Sequence, residues 1–266
     1  MLSGNVGAAP LARPVVVQAA RSGPRQFYVR MAYACAAVAF IGFTPSYWAP
    51  VATGAFAGPP LLHLHGLLFS AWTVLFIVQA RLAASGQLRR HRALGLAGVS
   101  LATAMLFAGV AVALASARAG MAAGSTHARD FSIVPITIIA SFAGIVAAAL
   151  VCARRSEVHM RLMLVATITI LPPAIARLLR LALASPGDAP SLLGNPPPVA
   201  LSLVPNALSD LLLVVAMVHD YRTEGRVHRA YVVAGACLVF VQVIRVPLAT
   251  SEAWRSFADW LMTFAG

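Results

Sequence analysis

Seven long apolar segments alternate with short polar connections along the chain. They cover about residues 27–48, 61–82, 93–115, 131–152, 161–183, 199–218 and 229–249. Each segment is close to the roughly 20 apolar residues that a helix needs to cross the hydrocarbon core of a bilayer. The pattern predicts an all-α, polytopic membrane helix bundle with seven transmembrane helices. We number these helices span one to span seven in chain order.

Composition strengthens this prediction and removes two other function classes. Apolar residues make up 60% of the chain and charged residues 11%, against about 45–50% and about 25% in soluble domains. The net charge of +12 comes from positive residues between the spans, so we expect a lipid bilayer as partner and no nucleic acid. All 20 basic residues are arginines. A retinal Schiff base requires a lysine amine, which excludes a rhodopsin-type pigment.

The placement of the arginines predicts the orientation of the bundle. Fourteen of the 20 arginines lie in the N-terminal tail and in the alternate connections on the same side, and six lie on the other side. Positive residues near membrane spans are retained on the cytoplasmic side. We therefore expect a cytoplasmic N-terminus and an outside C-terminus, as a multi-pass protein of a bacterial inner membrane, and we name the two sides inner and outer.

The two ends of the chain differ from the spans. Residues 1–26 lack the continuous apolar core of a signal peptide and are predicted to form a mobile cytoplasmic tail before the transmembrane domain, residues 27–249. Residues 250–266 place apolar side chains on one helical stripe: Trp254, Phe257, Leu261 and Phe264. Because charged side chains fall on another stripe, we predict an amphipathic helix on the outer leaflet surface.

Span two begins on the outer side with two histidines, in the run PPLLHLHGLLFSAW. Ionisable residues within a membrane are energetically costly and mark candidate functional sites. His65 shares one helical face, by spacing of three and four residues, with possible pocket-lining side chains: Phe69, Trp72, Phe76 and Gln79. His63 falls on another face, so His65 is the stronger candidate. His63 joins it if Pro59 and Pro60 delay the start of the helix.

Spans five to seven carry polar side chains in their outer halves. In TITILPPAIARLLR, the pair Pro172-Pro173 removes two backbone donors and predicts a kink before Arg177. The other polar positions are Asn206 and Asp210 in span six, and Gln242 and Arg245 in span seven.

These positions predict a charge network with an excess of positive charge. A buried charge requires a partner, and Asp210 is available to either Arg177 or Arg245. Two arginines against one aspartate predict a pocket for an anionic group, such as a lipid phosphate, a carboxylate or a haem propionate. Alternatively, one arginine extends to the lipid headgroups.

Four histidines alternate between the two sides of consecutive spans. His65 and His127 lie on the outer side, at spans two and four, whereas His91 and His159 lie on the inner side, at spans three and five. Two neutral imidazoles facing each other across a helix bundle are what a six-coordinate b-type haem requires. The alternation therefore makes haem b one candidate cofactor, with these histidines and His63 as candidate ligands.

Three stretches together resemble a family of uncharacterised bacterial membrane proteins: HLHGLLFSAWTVLFIVQARL…GQLRRHRALG, VHMRLMLVATITILPPAIARLL and DYRTEGRVHRA…QVIRVPL. The resemblance covers residues 27 to 264 and implies a shared seven-span fold, without implying an activity. The histidine alternation is similar, more weakly, to that of transmembrane di-haem cytochromes of the b type.

Three functions stay open from the sequence, and whether the protein is an enzyme stays open with them. The first is a redox protein with haem b or another histidine-held metal in a polar chamber of the outer leaflet. The second is a zinc-dependent membrane hydrolase or lipid-modifying enzyme with a lipid or anionic amphiphile as ligand. Its zinc would have three protein ligands from among His63, His65, His127 and Asp210, and an open position for water. The third is a small-molecule transporter or sensor.

Overall fold

A computed structural model describes residues 16–183 and 196–265, and the regular structure in these residues is helical throughout. It contains seven helices that are long and apolar enough to cross a membrane: Arg25–Ala52, Pro60–Ala84, Leu88–Ala122, Ala128–Val151, Ser156–Leu183, Val199–Glu224 and Arg229–Ala249. The predicted all-α bundle of seven spans is confirmed.

Several helices extend beyond their predicted spans. Span three runs from Leu88 to Ala122, whereas hydropathy predicted only residues 93–115, because the basic run RRHR already belongs to the helix although it is polar. The first helix begins at Val16 and so includes part of the predicted N-terminal tail. The rest of that tail, residues 1–15, lies outside the described residues.

Span one changes its helical geometry near its outer end. An α-helix, Val16–Phe43, passes into a π-helical turn, Thr44–Trp48, and then into a short α-helix, Ala49–Ala52. Pro45 lies at the start of this turn and has no backbone N–H for the regular hydrogen-bond ladder. Turns of this kind are rare in helices and frequent at functional sites.

Span five is broken at the predicted place. It consists of two helices, Ser156–Thr169 and Pro172–Leu183. At the break, the Ile168 carbonyl accepts hydrogen bonds from the Leu171 backbone N–H (3.0 Å) and from the Ser209 hydroxyl of span six (2.9 Å). The carbonyl that a proline leaves without its usual donor is therefore satisfied by a side chain of a neighbouring helix.

The predicted apolar face of span two packs into the core. Trp72 and Phe76 are buried. The Trp72 ring contacts the Phe142 ring of span four edge to face, with centroids 4.9 Å apart, and its indole N–H donates to the Thr167 hydroxyl of span five at 3.3 Å. Trp72 thus joins three spans near the middle of the bundle.

The C-terminal segment forms a helix, Glu252–Met262, which docks on the bundle. Its Arg255 donates two hydrogen bonds to the Asp130 carboxylate at the start of span four, at 2.9 and 2.8 Å. Arg129 pairs with Asp259 at 3.3 Å. The pKa of Arg255 is raised because its guanidinium donates to the Asp130 carboxylate.

The apolar stripe predicted for this helix includes both side chains that contact the protein and side chains that are exposed. The fully buried positions are Ala258 and Met262, which pack against Leu114 and Ala117 of span three. Trp254 and Leu261 also contact the protein, whereas Phe257 and Phe264 are exposed. The helix therefore packs on the bundle through Trp254, Ala258 and Met262, whereas the Trp260 ring, like that of Phe257, is exposed.

Candidate functional site

Arg177 is an arginine in the outer half of the bundle whose charge has only neutral partners. Its Nε donates to the Ser46 hydroxyl at 3.0 Å, and its Nη1 donates to the Pro173 carbonyl at 2.9 Å. The guanidinium carbon lies 4.5 Å from the centroid of the Phe43 ring. Within residues 25–183 and 196–264, no carboxylate lies within ion-pair distance of it.

Two irregular helices and one close contact position this arginine. The second half of span five begins at Pro172, so Arg177 belongs to the segment beyond the break. Gly42 of span one packs directly on Ala174. The contact is so close that a Cβ at Gly42 would lie 2.6 Å from the Ala174 carbonyl oxygen. Ser46 follows one helical turn later, within the π-helical turn.

His65 of span two is the histidine that lies near Arg177. Its ring stacks on Phe69 with centroids 4.1 Å apart. Its Nδ1 is buried, and no side chain or backbone group in the described chain forms a hydrogen bond with it. Arg177 is the charged group that acts on His65 electrostatically. The imidazole therefore offers a nitrogen without a hydrogen-bond partner among the described residues, within the electrostatic influence of Arg177.

His63 has different neighbours from His65. Its Nδ1 lies 3.1 Å from the Tyr47 hydroxyl, and its ring contacts Phe56 at 4.8 Å. Gly66 allows this arrangement, since a Cβ there would lie 3.0 Å from the Tyr47 ring. We name the group formed by Ser46, Tyr47, His63, His65 and Arg177 the outer chamber.

Arg245 of span seven occupies a second polar site. Its side chain is only 1% exposed. Its Nη2 donates to the Ser202 hydroxyl at 3.0 Å, and its Nη1 donates to the Thr137 hydroxyl at 3.4 Å. Its Nε has no hydrogen-bond partner among the described residues. Such a buried charge normally has a paired countercharge.

Asp210 of span six is the carboxylate that acts on Arg245 electrostatically. It does not form a direct ion pair with Arg245 in the described structure. Instead, its Oδ1 accepts a hydrogen bond from the Gln242 amide at 3.4 Å, while the Asn206 amide donates to the Ser202 carbonyl. Asp210, Gln242, Asn206 and Arg245 line a space of about 10 Å³, which we name the central cavity.

The structure therefore divides the predicted charge network in two. Arg177 contacts span one and lies near span two, in the outer chamber. The other four members, Asn206, Asp210, Gln242 and Arg245, gather between spans four to seven. Asp210 pairs directly with neither arginine, although the sequence suggested such a pair.

The other outer histidine, His127, lies at the beginning of span four. Its backbone N–H donates to the Ser125 hydroxyl at 3.3 Å, and Asp130, three residues later, binds Arg255. In the described part of the chain, no hydrogen bond or ring contact joins His127 to His65. His127 thus belongs to the corner where the C-terminal helix docks, and not to the outer chamber.

The two inner histidines lie close together. The rings of His91 and His159 are 6.3 Å apart and nearly perpendicular. The Nδ1 of His159 lies 2.8 Å from the Ala149 carbonyl, and that of His91 lies 3.3 Å from the Gln79 carbonyl. The Gln79 amide donates to the His91 carbonyl, and its Oε1 is buried without a partner among the described groups.

The predicted zinc ligands are distributed over these separate places. Across residues 25–183 and 196–264, no group of three or more His, Cys, Asp or Glu side chains is arranged to hold a metal ion. His63 and His65 lie in the outer chamber, Asp210 lies at the central cavity, and His127 lies at the C-terminal helix.

A buried ion cluster on the inner side was missed by the sequence reasoning. Arg161 is 1% exposed and binds Asp220 of span six, Glu157 of its own helix at 2.6 Å and Glu224 at 2.5 Å. The sequence counted Arg161 only as one more positive residue near the cytoplasm. The sequence did contain a signal for this cluster. Only eight residues of the chain are acidic, and two of them, Asp220 and Glu224, stand one helical turn apart, as partners of one buried arginine would.

No protein-family model, no curated protein and no solved structure matches the chain. The seven apolar helices identify it as a multi-pass membrane protein. Any more specific function has to be argued from the geometry of its polar sites.

Proposed function

We propose that the protein binds the anionic head group of an amphiphile in the outer chamber. One observation carries this proposal: Arg177 is partly buried in the outer half of the bundle and is held by a hydroxyl, a carbonyl and an aromatic face, with no carboxylate partner among the described residues. Ionisable residues within the membrane mark ligand pathways when their charge has no structural partner.

The chemistry of the chamber supports a carboxylate or a phosphate as the head group. A guanidinium binds such groups through two parallel N–H donors. Two of its nitrogens are used by Ser46 and Pro173, which fixes the plane of the guanidinium and leaves Nη2 without a partner in the described structure. The unpartnered Nδ1 of His65 provides a second polar contact for a head-group oxygen.

The surroundings of the chamber support an amphiphile over a free ion. Leu64 and Leu67 flank the two histidines along span two and are exposed by 50% and 66%. In a membrane, such side chains face the acyl chains of lipids. A ligand with its charge at Arg177 would therefore find an apolar surface for its hydrocarbon tail on span two.

The helix geometry favours transport or sensing over catalysis. Arg177 lies between the break of span five and the π-helical turn of span one. Discontinuous helices of this kind form the substrate sites of many transporters. The arginine distribution further supports our proposal that the protein lies in a bacterial inner membrane with its N-terminus in the cytoplasm.

Head-group selectivity tests the proposal. The protein is reconstituted in phosphatidylcholine nanodiscs and titrated with dodecyl phosphate, dodecanoate, dodecanol and dodecyltrimethylammonium, with binding followed by calorimetry. We expect saturable binding of the two anions and none of the neutral or cationic compounds. Equal binding of all four would show that only the tails are recognised and would refute the proposal.

A histidine-held metal is a second candidate, and one observation favours it. The Nδ1 atoms of His91 and His159 both lie near backbone carbonyls, an arrangement that leaves Nε2 free for a metal or haem iron. Two rings that bind one ion at metal–nitrogen distances of about 2 Å have centroids between about 5 Å, at a tetrahedral angle, and about 6.5 Å, on opposite sides of the ion. The rings of His91 and His159 lie 6.3 Å apart.

Absorption spectroscopy and metal analysis of the purified protein test this second candidate. A Soret band that shifts on reduction would support haem b, and about one equivalent of zinc in a colourless protein would support a metal ion. In either case His91→Ala should remove the cofactor and His127→Ala should not. A protein without bound metal or colour after growth with added zinc and haem precursor would exclude it.

A further inference from the structure

Five exposed arginines lie on two neighbouring connections of the inner side. They stand at the start of span three and between spans four and five: Arg89, Arg90, Arg92, Arg154 and Arg155. The two connections meet in space, because the rings of His91 and His159, in the first turns of spans three and five, are 6.3 Å apart. We name these five arginines the inner basic patch.

The charge of the inner basic patch is not compensated by the protein. Residues 85–92 and 152–156, which contain the patch, include no acidic residue. In the described structure none of the five arginines forms an ion pair, and Arg90 donates to a neutral amide oxygen at 2.8 Å. The next acidic residue, Glu157, is bound to the buried Arg161. Because like charges repel each other, an anion that contacts several of these arginines would stabilise the corner.

The connection between spans six and seven, also on the inner side, has a different character. Its exposed arginines, Arg222 and Arg226, stand among the acidic residues Asp220 and Glu224. Retention of positive charge on the inner side is satisfied by arginines in any inner connection. It does not require five of them to collect, without acidic residues, on two connections that touch. The inner basic patch therefore exceeds what membrane orientation alone demands.

The position of the patch favours a lipid head group over a soluble anion. Leu94, just after the arginines of span three, is 39% exposed, and Val151, just before Arg154, is 86% exposed. Such apolar side chains face acyl chains in a membrane, which places the arginines beside them at the depth of the lipid phosphates. Guanidinium groups bind phosphate oxygens through parallel N–H donors, and basic sites at the cytoplasmic ends of spans bind head groups that carry several phosphates.

We infer that the inner basic patch binds one phospholipid with two phosphate groups, of the cardiolipin type, from the inner leaflet. One phosphate contacts the arginines at the start of span three, and the other contacts Arg154 and Arg155. The lipid thereby bridges spans three and five. This surface is separate from the outer chamber, which rests on Arg177 at the opposite end of span five.

Native mass spectrometry of the protein in a mild detergent tests this inference. The full chain is titrated separately with cardiolipin, phosphatidylglycerol and phosphatidylcholine. We expect one saturable cardiolipin site, weaker binding of phosphatidylglycerol and no saturable binding of phosphatidylcholine. The double variant Arg92→Gln/Arg155→Gln should weaken cardiolipin binding at least about tenfold, because it removes one charged contact to each lipid phosphate.

A second double variant, Arg222→Gln/Arg226→Gln, is the matched control. It also removes two exposed arginines from the inner side, so any effect on membrane insertion is common to both variants. Its affinity for cardiolipin should stay close to that of the wild type. Equal weakening in the two double variants would show that total inner charge, and not this surface, attracts the lipid, and would overturn the inference. Equal binding of cardiolipin and phosphatidylcholine by the wild type would overturn it as well.

Arg177→Gln separates this surface from the outer chamber, which we propose binds anionic head groups of its own. We expect this variant to keep the cardiolipin site, and Arg92→Gln/Arg155→Gln to keep the affinity for dodecyl phosphate. Loss of the cardiolipin site in Arg177→Gln would place the lipid in the outer chamber. That result would overturn the present inference and would leave the proposed function standing.

Discussion

Arg161 and Asp220 form a bidentate ion pair within the bundle. The Nε of Arg161 donates to one carboxylate oxygen of Asp220 at 2.8 Å, and its Nη2 donates to the other at 3.0 Å. Both residues are 1% exposed. The pair connects span five to span six on the inner side, and the Tyr231 ring of span seven lies 5.8 Å from the guanidinium.

Breaking this pair should strongly destabilise the bundle. Asp220→Asn leaves the Arg161 charge buried with only Glu157 and Glu224 as ionic partners, and removing one member of a buried pair typically costs about 3–5 kcal/mol. Thermal unfolding in a mild detergent should show a large decrease in melting temperature. The matched control is Asp259→Asn, which removes a half-exposed surface pair with Arg129 and should change the melting temperature little. Equal effects of the two variants would contradict the structural role of Arg161.

The close contact between spans one and five should tolerate no additional side-chain atom. Gly42→Ala places a Cβ 2.6 Å from the Ala174 carbonyl oxygen, and overpacking of this kind costs about 1–3 kcal/mol. Because the same contact positions Arg177 near Ser46, we expect both a lower melting temperature and weaker binding of dodecyl phosphate. Gly144→Ala is the control, since its Cβ meets no atom within 4 Å. Unchanged stability and binding in Gly42→Ala would contradict the contact.

The C-terminal helix should depend on the Asp130–Arg255 contact for docking. In Asp130→Asn the two charge-assisted hydrogen bonds to Arg255 are weakened, while the buried residues Ala258 and Met262 still hold the helix on span three. We expect faster amide hydrogen exchange in Glu252–Met262 and no change in the middle of the spans. Unchanged exchange in this helix would show that apolar packing alone docks it.

The sequence predicted the elements of the fold better than their contacts. Hydropathy located all seven spans, and Pro172-Pro173 located the break in span five, because both are local properties of the chain. The partners of Arg161 and Arg245 depend on which helices are neighbours, and this information is not contained in the spacing within one helix. Hydropathy therefore could not distinguish a solvated Arg161 from a buried one.

In the candidate site too, the positions along one helix were predictable and the contacts between helices were not. The spacing of His65 and Phe69 predicted their shared face, and their rings stack at 4.1 Å. Ser46 and Tyr47 were missed because the π-helical turn that presents them is an irregularity of span one that helical periodicity does not indicate. The separation of Arg177 from Asp210 follows from the packing of span five on span one, through Gly42 and Ala174.

The dissociation constant of dodecyl phosphate for Arg177→Gln tests the central claim most directly. Arg180→Gln is the matched control, because Arg180 is exposed and stands one turn later in the same helix. A lost charge-assisted hydrogen bond of about 1.5–3 kcal/mol should weaken binding at least about tenfold in Arg177→Gln, with Arg180→Gln close to the wild type. Equal affinities of the wild type and a folded Arg177→Gln protein would contradict the account.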